Sequence, residues 1–336
     1  MEYLIEYGMF AAKLLTIVLS VAIAVIAIIA FTFARSQMAS GAERIEVKKL
    51  NDKFHHMGMA LKSALLSDKA FKAELKKSKK EQKSSEKNIE TTRGRIFVCE
   101  FEGDLKASAV DSLREEVTAI LAVAEENDEV VALVESPGGA VHGYGLAASQ
   151  LARFKSNGIK LTVAVDKVAA SGGYMMACVA DKIIAAPFAI IGSIGVVAQL
   201  PNFNRLLRKH DIDFEEVTAG EHKRTLTLFG ENTDADREKF QEEIDDVHEL
   251  FKEFVNEHRP SVDIEKIATG EHWFAKRAYE LQLVDELLTS DDYLLNASKE
   301  NDIYAVTFER KKPVLEKLMG GPANQLARLL RFFSTR

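Results

Sequence analysis

Ser171 stands in the run Ala169-Ala170-Ser171-Gly172-Gly173-Tyr174, and Lys223 follows 52 positions later in Ala219-Gly220-Glu221-His222-Lys223-Arg224. A second glycine turn, Ser136-Pro137-Gly138-Gly139, lies upstream of both. A serine hydroxyl is a poor nucleophile until a neighbouring base takes its proton. Glycines beside it let a substrate backbone approach closely. A helix begun over Tyr174–Ala180 would turn its N-terminal amides toward a reacting carbonyl oxygen. In the upstream turn Pro137 lacks a donor, while Gly138 and Gly139 offer unobstructed N–H groups. Such a turn could supply an oxyanion amide and pair with a peptide strand. Each piece alone also fits an ordinary β–α turn.

The base is less plain from residue types. Lysine titrates near 10.4, so acting as a base at neutral pH requires burial and no carboxylate partner to lower it by roughly 2–3 units. Lys223 sits between a strand-like run and a Thr/Leu/Gly-rich stretch, with Arg224 beside it as a charge that would help. His142 and His222, with many acids nearby, permit a Ser-His-Asp arrangement instead. Residue types alone leave Lys223 and His222 both open.

The elements that must position these residues alternate between short apolar runs and amphipathic helices from about Arg95 onward. Periodicity predicts strands at Ile96–Phe101, Glu129–Glu135, Lys160–Val165, Lys182–Ala186, Gly195–Leu200 and Phe214–Thr218. It predicts helices at Ala109–Glu126, Tyr144–Asn157, Phe203–Lys209, Asp234–His258 and Ala275–Gln282, and a helical C-terminal third. Strands alternating with helices argue for an α/β domain with a sheet buried on both faces. Pro187, Gly192 and Gly195 break the uncharged run Ile183–Leu200, which therefore reads as buried strands and not as a membrane helix.

The 336 residues suffice for one large catalytic domain. Leu14–Ala34 holds no charge and, as a helix, is long enough to cross a bilayer; its length exceeds the apolar core of a cleaved signal peptide. Residues 35–95 carry 16 Lys+Arg against 8 Asp+Glu, whereas residues 96–336 carry 27 against 41. The expected organisation is a flank (1–13), an anchor (14–34), a basic, largely helical stalk (35–94), a catalytic domain (95–310) and an amphipathic tail (311–336). The stalk suits anionic lipid head groups. Scarce aromatics there and an acidic body argue against nucleic acid. Cys99 and Cys178 read as buried, unpaired thiols, with no disulfide framework or zinc spacing.

Four motifs in order, Ser136-Pro137-Gly138-Gly139, Ala170-Ser171-Gly172-Gly173-Tyr174, Gly192-Ser193-Ile194-Gly195-Val196 and Ala219-Gly220-Glu221-His222-Lys223, resemble the signal peptide peptidase A family over about residues 95–290. With the N-terminal anchor and stalk, the resemblance is greatest to its single-domain inner-membrane peptidases of Gram-negative bacteria. It implies a ClpP/crotonase-like α/β fold of repeated ββα units and a Ser–Lys dyad. Ser171 would be the nucleophile, Lys223 the general base and Ser193 the group orienting the lysine. Backbone N–H groups of Gly172, Gly138 and Gly139 would form the oxyanion hole. The stretch from Trp273-Phe274 to Leu283–Glu286 resembles the family's closing helix and strand.

The chain is half the length of the duplicated members, which implies a ring-like homo-oligomer with sites at subunit interfaces; whether Lys223 meets the Ser171 of its own subunit or of a neighbour stays open. The expected activity is cleavage of unstructured or apolar peptides, signal-peptide remnants and misfolded envelope proteins among them, through an acyl-enzyme. No cofactor or metal is called for, and no phosphate-binding Gly-rich Lys-Ser/Thr loop is present. The alternatives are a crotonase-like acyl-CoA hydratase or isomerase, and an inactive membrane scaffold. Flanking charges put the body in the cytoplasm, whereas a role in envelope quality control puts it in the periplasm; the side stays open.

Overall fold

The computed structural model describes residues 44–87, 93–220 and 222–309, with isolated positions 9, 13, 16 and 20. Its first element is a strand within a stretch expected to be helical. Arg44–Lys49 forms β1, followed by helices α1 (Leu50–Leu65) and α2 (Asp68–Lys87). Part of the expected stalk therefore belongs to the sheet. Asn51 fastens it there: its amide nitrogen donates to the carbonyls of Ser298 (3.1 Å) and Asn301 (2.9 Å), and its oxygen accepts from Ile303 N–H (2.8 Å). Only the start of α1, Leu50 and Phe54, packs on the body; Met57, Leu61 and Leu65 are exposed.

The centre is built from β2 (Gly94–Glu102), β3 (Glu129–Glu135), β4 (Lys160–Val165) and β6 (Lys182–Ala185), all parallel. The period of two divides each strand between two cores. Phe97, Cys99, Val130, Ala132, Leu161, Val163 and Ile183 face one, with α3 (Val110–Leu121) and α4 (Val141–Ser156). Ile96, Val98, Val131, Ala164 and Ile184 face the other. Burial on both faces explains why these runs are nearly continuously apolar. Cys99 and Cys178 are buried free thiols, and burial pushes both well above the usual thiol range.

A second, three-stranded sheet carries the site: β5 (Val168–Ala170) pairs in parallel with β7 (Ile190–Gly192). β7 in turn pairs antiparallel with β8 (His272–Phe274). Helix α5 (Gly172–Cys178) leaves β5 directly, and α6 (Asn204–Lys209) lies in a long irregular segment. α7 (Asp234–His258) opens on a capping box between Thr233 and Asp236. Then come α8 (Ile264–Ile267), α9 (Ala275–Glu280), β9 (Glu286–Leu287), α10 (Ser290–Ala297) and β10 (Asn301–Glu309). α10 covers the second core through Leu294. The large sheet has the order β1-β10-β2-β3-β4-β6-β9.

Two expected strands are absent. Gly195–Leu200 and Phe214–Thr218 are irregular, because nothing among the described residues offers them a strand to pair with. The C-terminal third is not all helical either: it contributes β8, β9 and β10, and β10 inserts between β1 and β2. The run Leu14–Ala34, save Thr16 and Ser20, and the tail helix expected at Ala323–Phe333 lie outside the described residues. Among the described residues no helix is long and apolar enough to cross a membrane.

Candidate active site

Three strand ends converge on one place. β3 runs on past Glu135 so that Ser136 bridges Ala169 of β5, carrying the Pro137-Gly138-Gly139 turn to the second sheet. In the register of β5 and β7, Ala170 lies opposite Gly192, so Ser171 and Ser193 leave adjacent strands side by side. Both serines have positive φ, 52° and 53°. Such a backbone costs a non-glycine residue about 1–3 kcal/mol and persists only when neighbours impose it. Here the Ser171 N–H donates to the Gly192 carbonyl (2.7 Å) and the Ser193 N–H to the Glu271 carbonyl (2.6 Å). The sharp turn puts Ser171 at the junction of β5 and α5, with no hydrogen bond to its hydroxyl among the described residues.

The glycine turn meets this junction at close range. A Cβ on Gly138 (φ +92°) would lie 2.7 Å from Ser171 Cβ and 3.0 Å from Gly172 N, and one on Gly139 would lie 2.3 Å from the Leu105 carbonyl oxygen. The donors then sort themselves. Gly138 N–H is taken up by Ser136 Oγ at 3.0 Å. The N–H groups of Gly139 and Gly172 have no partner among the described residues. Of the three amides expected in an oxyanion hole, two are left among the described residues to donate to a ligand's oxygen and one is occupied.

Ser171, Ser193, Gly138 and Gly139 line one open cleft of about 790 Å³, with Leu105, Val196, Val197, Thr269 and His248 among its other walls. No Lys, Arg, Asp or Glu lines it among the described residues. Lys223 does not reach it. That residue lies exposed in a turn closed by Lys223 N–H to the Gly220 carbonyl (3.2 Å), and its amine makes no hydrogen bond or ion pair among the described residues. Arg224 pairs with Glu216 at 3.2 Å, so its charge is engaged. His142 and His222 are exposed and outside the cleft.

His248 is the residue that sequence reasoning missed. It is the one titratable side chain lining the cleft among the described residues, yet it makes no hydrogen bond with Ser171, and its Nε2 is buried without a partner. Nothing local marks it: it sits in the charged helix α7 and arrives by tertiary packing. Tyr144, read from sequence only as the start of a helix, is wholly buried behind the glycine turn.

The arrangement can present an alcohol nucleophile and two backbone donors to a carbonyl in an uncharged cleft. Among the described residues His248 is the one side chain of the lining that could take a proton, and Lys223 stands outside it.

Comparison with known proteins points to a peptidase. The family model described as "Peptidase family S49 N-terminal" matches residues 2–151, and "Peptidase family S49" matches residues 153–304. The chain is 48% identical over 346 residues to "Probable protease SohB" of Haemophilus influenzae, covering 100% of this chain and 97% of that protein. It is 53% identical over 246 residues to the protein of the same name from Buchnera aphidicola subsp. Acyrthosiphon pisum, covering 73% of each. A third relative of that name, from Buchnera aphidicola subsp. Schizaphis graminum, is 46% identical over 310 residues, covering 89% of this chain and 88% of the relative. With both halves of the chain matched and a relative aligned from end to end, the protein belongs to peptidase family S49, as a SohB-type member.

Proposed function

We propose that the protein is a membrane-anchored serine endopeptidase that cleaves unstructured, apolar peptides through an acyl-enzyme on Ser171, with Lys223 of a neighbouring subunit as base. The carrying observation is the cleft itself: Ser171, Ser193 and two amides without a partner meet there, but among the described residues no Lys, Arg, Asp or Glu does. Lys223 lies instead in a segment, residues 197–229, whose Val197, Leu206, Ile212 and Val217 are exposed. Exposed apolar side chains gathered in one segment favour a protein partner, and a second copy would bring its lysine with it. Ser193, beside Ser171 in register, is suited to receive and orient that amine. The parallel sheet, with its second small sheet at the site, supports a ClpP/crotonase-like reading of the fold.

The uncharged walls contributed by Leu105, Val196 and Val197 suit apolar chains such as signal-peptide remnants and misfolded envelope proteins. The charge-free run Leu14–Ala34 supports a single-pass anchor in a bacterial inner membrane.

Subunit mixing tests the whole reading. Ser171→Ala and Lys223→Ala are each expected to abolish hydrolysis of an unfolded protein. Mixed assemblies of the two should regain activity, because one subunit keeps the serine and its neighbour the lysine. Failure of mixed, fully assembled oligomers to recover would place the dyad within one chain. His248→Gln is expected to remain active; its inactivity together with an active Lys223→Ala would make histidine the base.

A further inference from the structure

Behind the glycine turn runs a chain of hydrogen bonds whose direction is fixed. Tyr144 Oη donates to the Asp104 carbonyl at 2.8 Å. A phenol has one proton, so the 2.5 Å contact between Ser136 Oγ and Tyr144 Oη must use the proton of Ser136. Ser136 Oγ then accepts the N–H of Gly138 at 3.0 Å. Ser136 and Tyr144 are wholly buried, and neither lines the cleft. Burial raises the Tyr144 phenol above its ordinary value, which keeps it a neutral donor.

The same ring limits the other half of the site. A Cβ on Gly172 would lie 2.3 Å from Tyr144 Cγ, and one on Gly103 would lie 2.4 Å from Tyr144 Oη. Tyr144 therefore touches both strands of chain that carry a free amide: Gly172 through its ring, and the Gly138-Gly139 turn through Ser136. With Gly138 N–H tied back into the protein, the next peptide is turned so that Gly139 N–H is left without a partner among the described residues.

We infer that Tyr144 is the positioning residue of the oxyanion site, holding Gly139 N–H and Gly172 N–H in place through Ser136 and through its ring. The inference rests on the acyl-enzyme reading of Ser171. As Ser171 Oγ bonds to the substrate carbonyl carbon, its proton passes to the base and the carbonyl π pair moves onto oxygen, to which the two amides donate hydrogen bonds. Tyr144 and Ser136 exchange no proton in this step.

Tyr144→Phe removes the hydroxyl and keeps the ring. In the full-length enzyme it is expected to lower kcat about 10- to 100-fold, the effect of displacing an oxyanion donor, and to leave KM within about twofold. A peptide boronic acid, which forms a tetrahedral adduct on serine, should bind more weakly by the same factor as kcat falls. Ser136→Ala should reproduce both effects, and the double variant should lose no more than the worse single one.

Unchanged kcat in the folded variants overturns the inference, as does a fall in kcat with boronate affinity intact, or losses that multiply. If Tyr144→Phe does not fold, Ser136→Ala decides. Wild-type enzyme whose Ser171 resists a fluorophosphonate probe and cleaves no peptide overturns the acyl-enzyme reading itself, and the inference with it. Labelled wild type with unaffected variants overturns the inference alone.

Discussion

Gly138 and Ser171 approach so closely that a Cβ on Gly138 would stand 2.7 Å from the Cβ of Ser171. The glycine turn and the Ser171 turn are in effect one object, built at the ends of two strands, although Gly138 and Ser171 lie 33 positions apart in the chain. Gly138→Ala meets two obstacles, this contact and a φ of +92°. It is expected to cost at least about 100-fold in kcat, since a shift of about 1 Å at a reacting centre is worth that much. Peptide hydrolysis measured beside a thermal melt checks this. Full activity at an unchanged melting temperature would mean that the turn does not shape the site.

How much of this was readable in the chain depends on where each partner lies. β3 and β4 match the expected strands residue for residue, because a strand buried on both faces is a continuous apolar run bounded by charges. α7 also matches, marked by Thr233 and a regular charged pattern. Gly195–Leu200 and Phe214–Thr218 misled for one reason: apolarity says that a segment suits burial, not that a strand stands beside it to pair with. Val197 is 82% and Val217 96% exposed. β10 was missed although Ile303-Tyr304-Ala305-Val306-Thr307-Phe308 is rich in β-branched and aromatic residues, because the helices before it set the expectation. At the site, the motifs announced Ser171 and the glycines. Tyr144 and His248 come from helix faces whose neighbours are set only by packing.

The exposed segment carries its own test. Phe214 and Phe203 pack against Phe229 with tilted rings, centroids 5.7 and 6.1 Å apart, and give the segment a small apolar cluster of its own. Val217 and Leu206 are not needed for that cluster and face solvent in the single chain. Val217→Asp and Leu206→Asp should leave the subunit's melting temperature nearly unchanged, because exposed positions tolerate substitution within about 0.5 kcal/mol. They should shift the assembly toward smaller species by analytical ultracentrifugation, and lower kcat in proportion to the dissociated fraction. Charged variants that remain fully assembled would remove this segment from the interface.

Glu116 gives a pH dependence with a definite sign. It lies in α3, 4% exposed; Oε1 accepts the Phe308 N–H at 2.8 Å, while Oε2 is buried without a partner. Burial, with a smaller push from Glu100, raises its pKa to about 7, against the opposing Phe308 bond. In the unfolded chain it titrates near 4.5. Between those values the folded state holds the proton and the unfolded state does not. Stability is therefore fully present below about pH 4.5, falls as pH rises toward 7, and levels off above it. The loss is at most about 3 kcal/mol. Glu116→Gln keeps the acceptor for Phe308 and cannot ionise. In urea titrations it should gain stability over wild type at pH 8 and gain nothing at pH 4.5. Equal increments at both pH values would contradict the assignment.

Arg259, which follows α7, and Asp285 form an ion pair that ties the end of that helix to β6. Arg259 donates to both Asp285 oxygens, at 2.9 and 2.7 Å, and to the Gln282 carbonyl at 2.7 Å. Asp285 Oδ2 also accepts the Ile183 N–H of β6 at 2.7 Å, and Tyr174 of α5 donates to the Leu283 carbonyl at 3.1 Å. The two partners are unequally hidden, with side chains 8% and 34% exposed. Removing Asp285 leaves a buried guanidinium without its counter-charge, a loss of about 3–5 kcal/mol. Removing Arg259 leaves a carboxylate that water can reach and that still accepts from Ile183, and it also deletes the Arg259 Nε that is buried without a partner. Asp285→Ala should therefore destabilise the fold more than Arg259→Met does, by a margin that chemical denaturation resolves. The reverse order would mean that the pair is held together by the carboxylate's needs and not by those of the arginine.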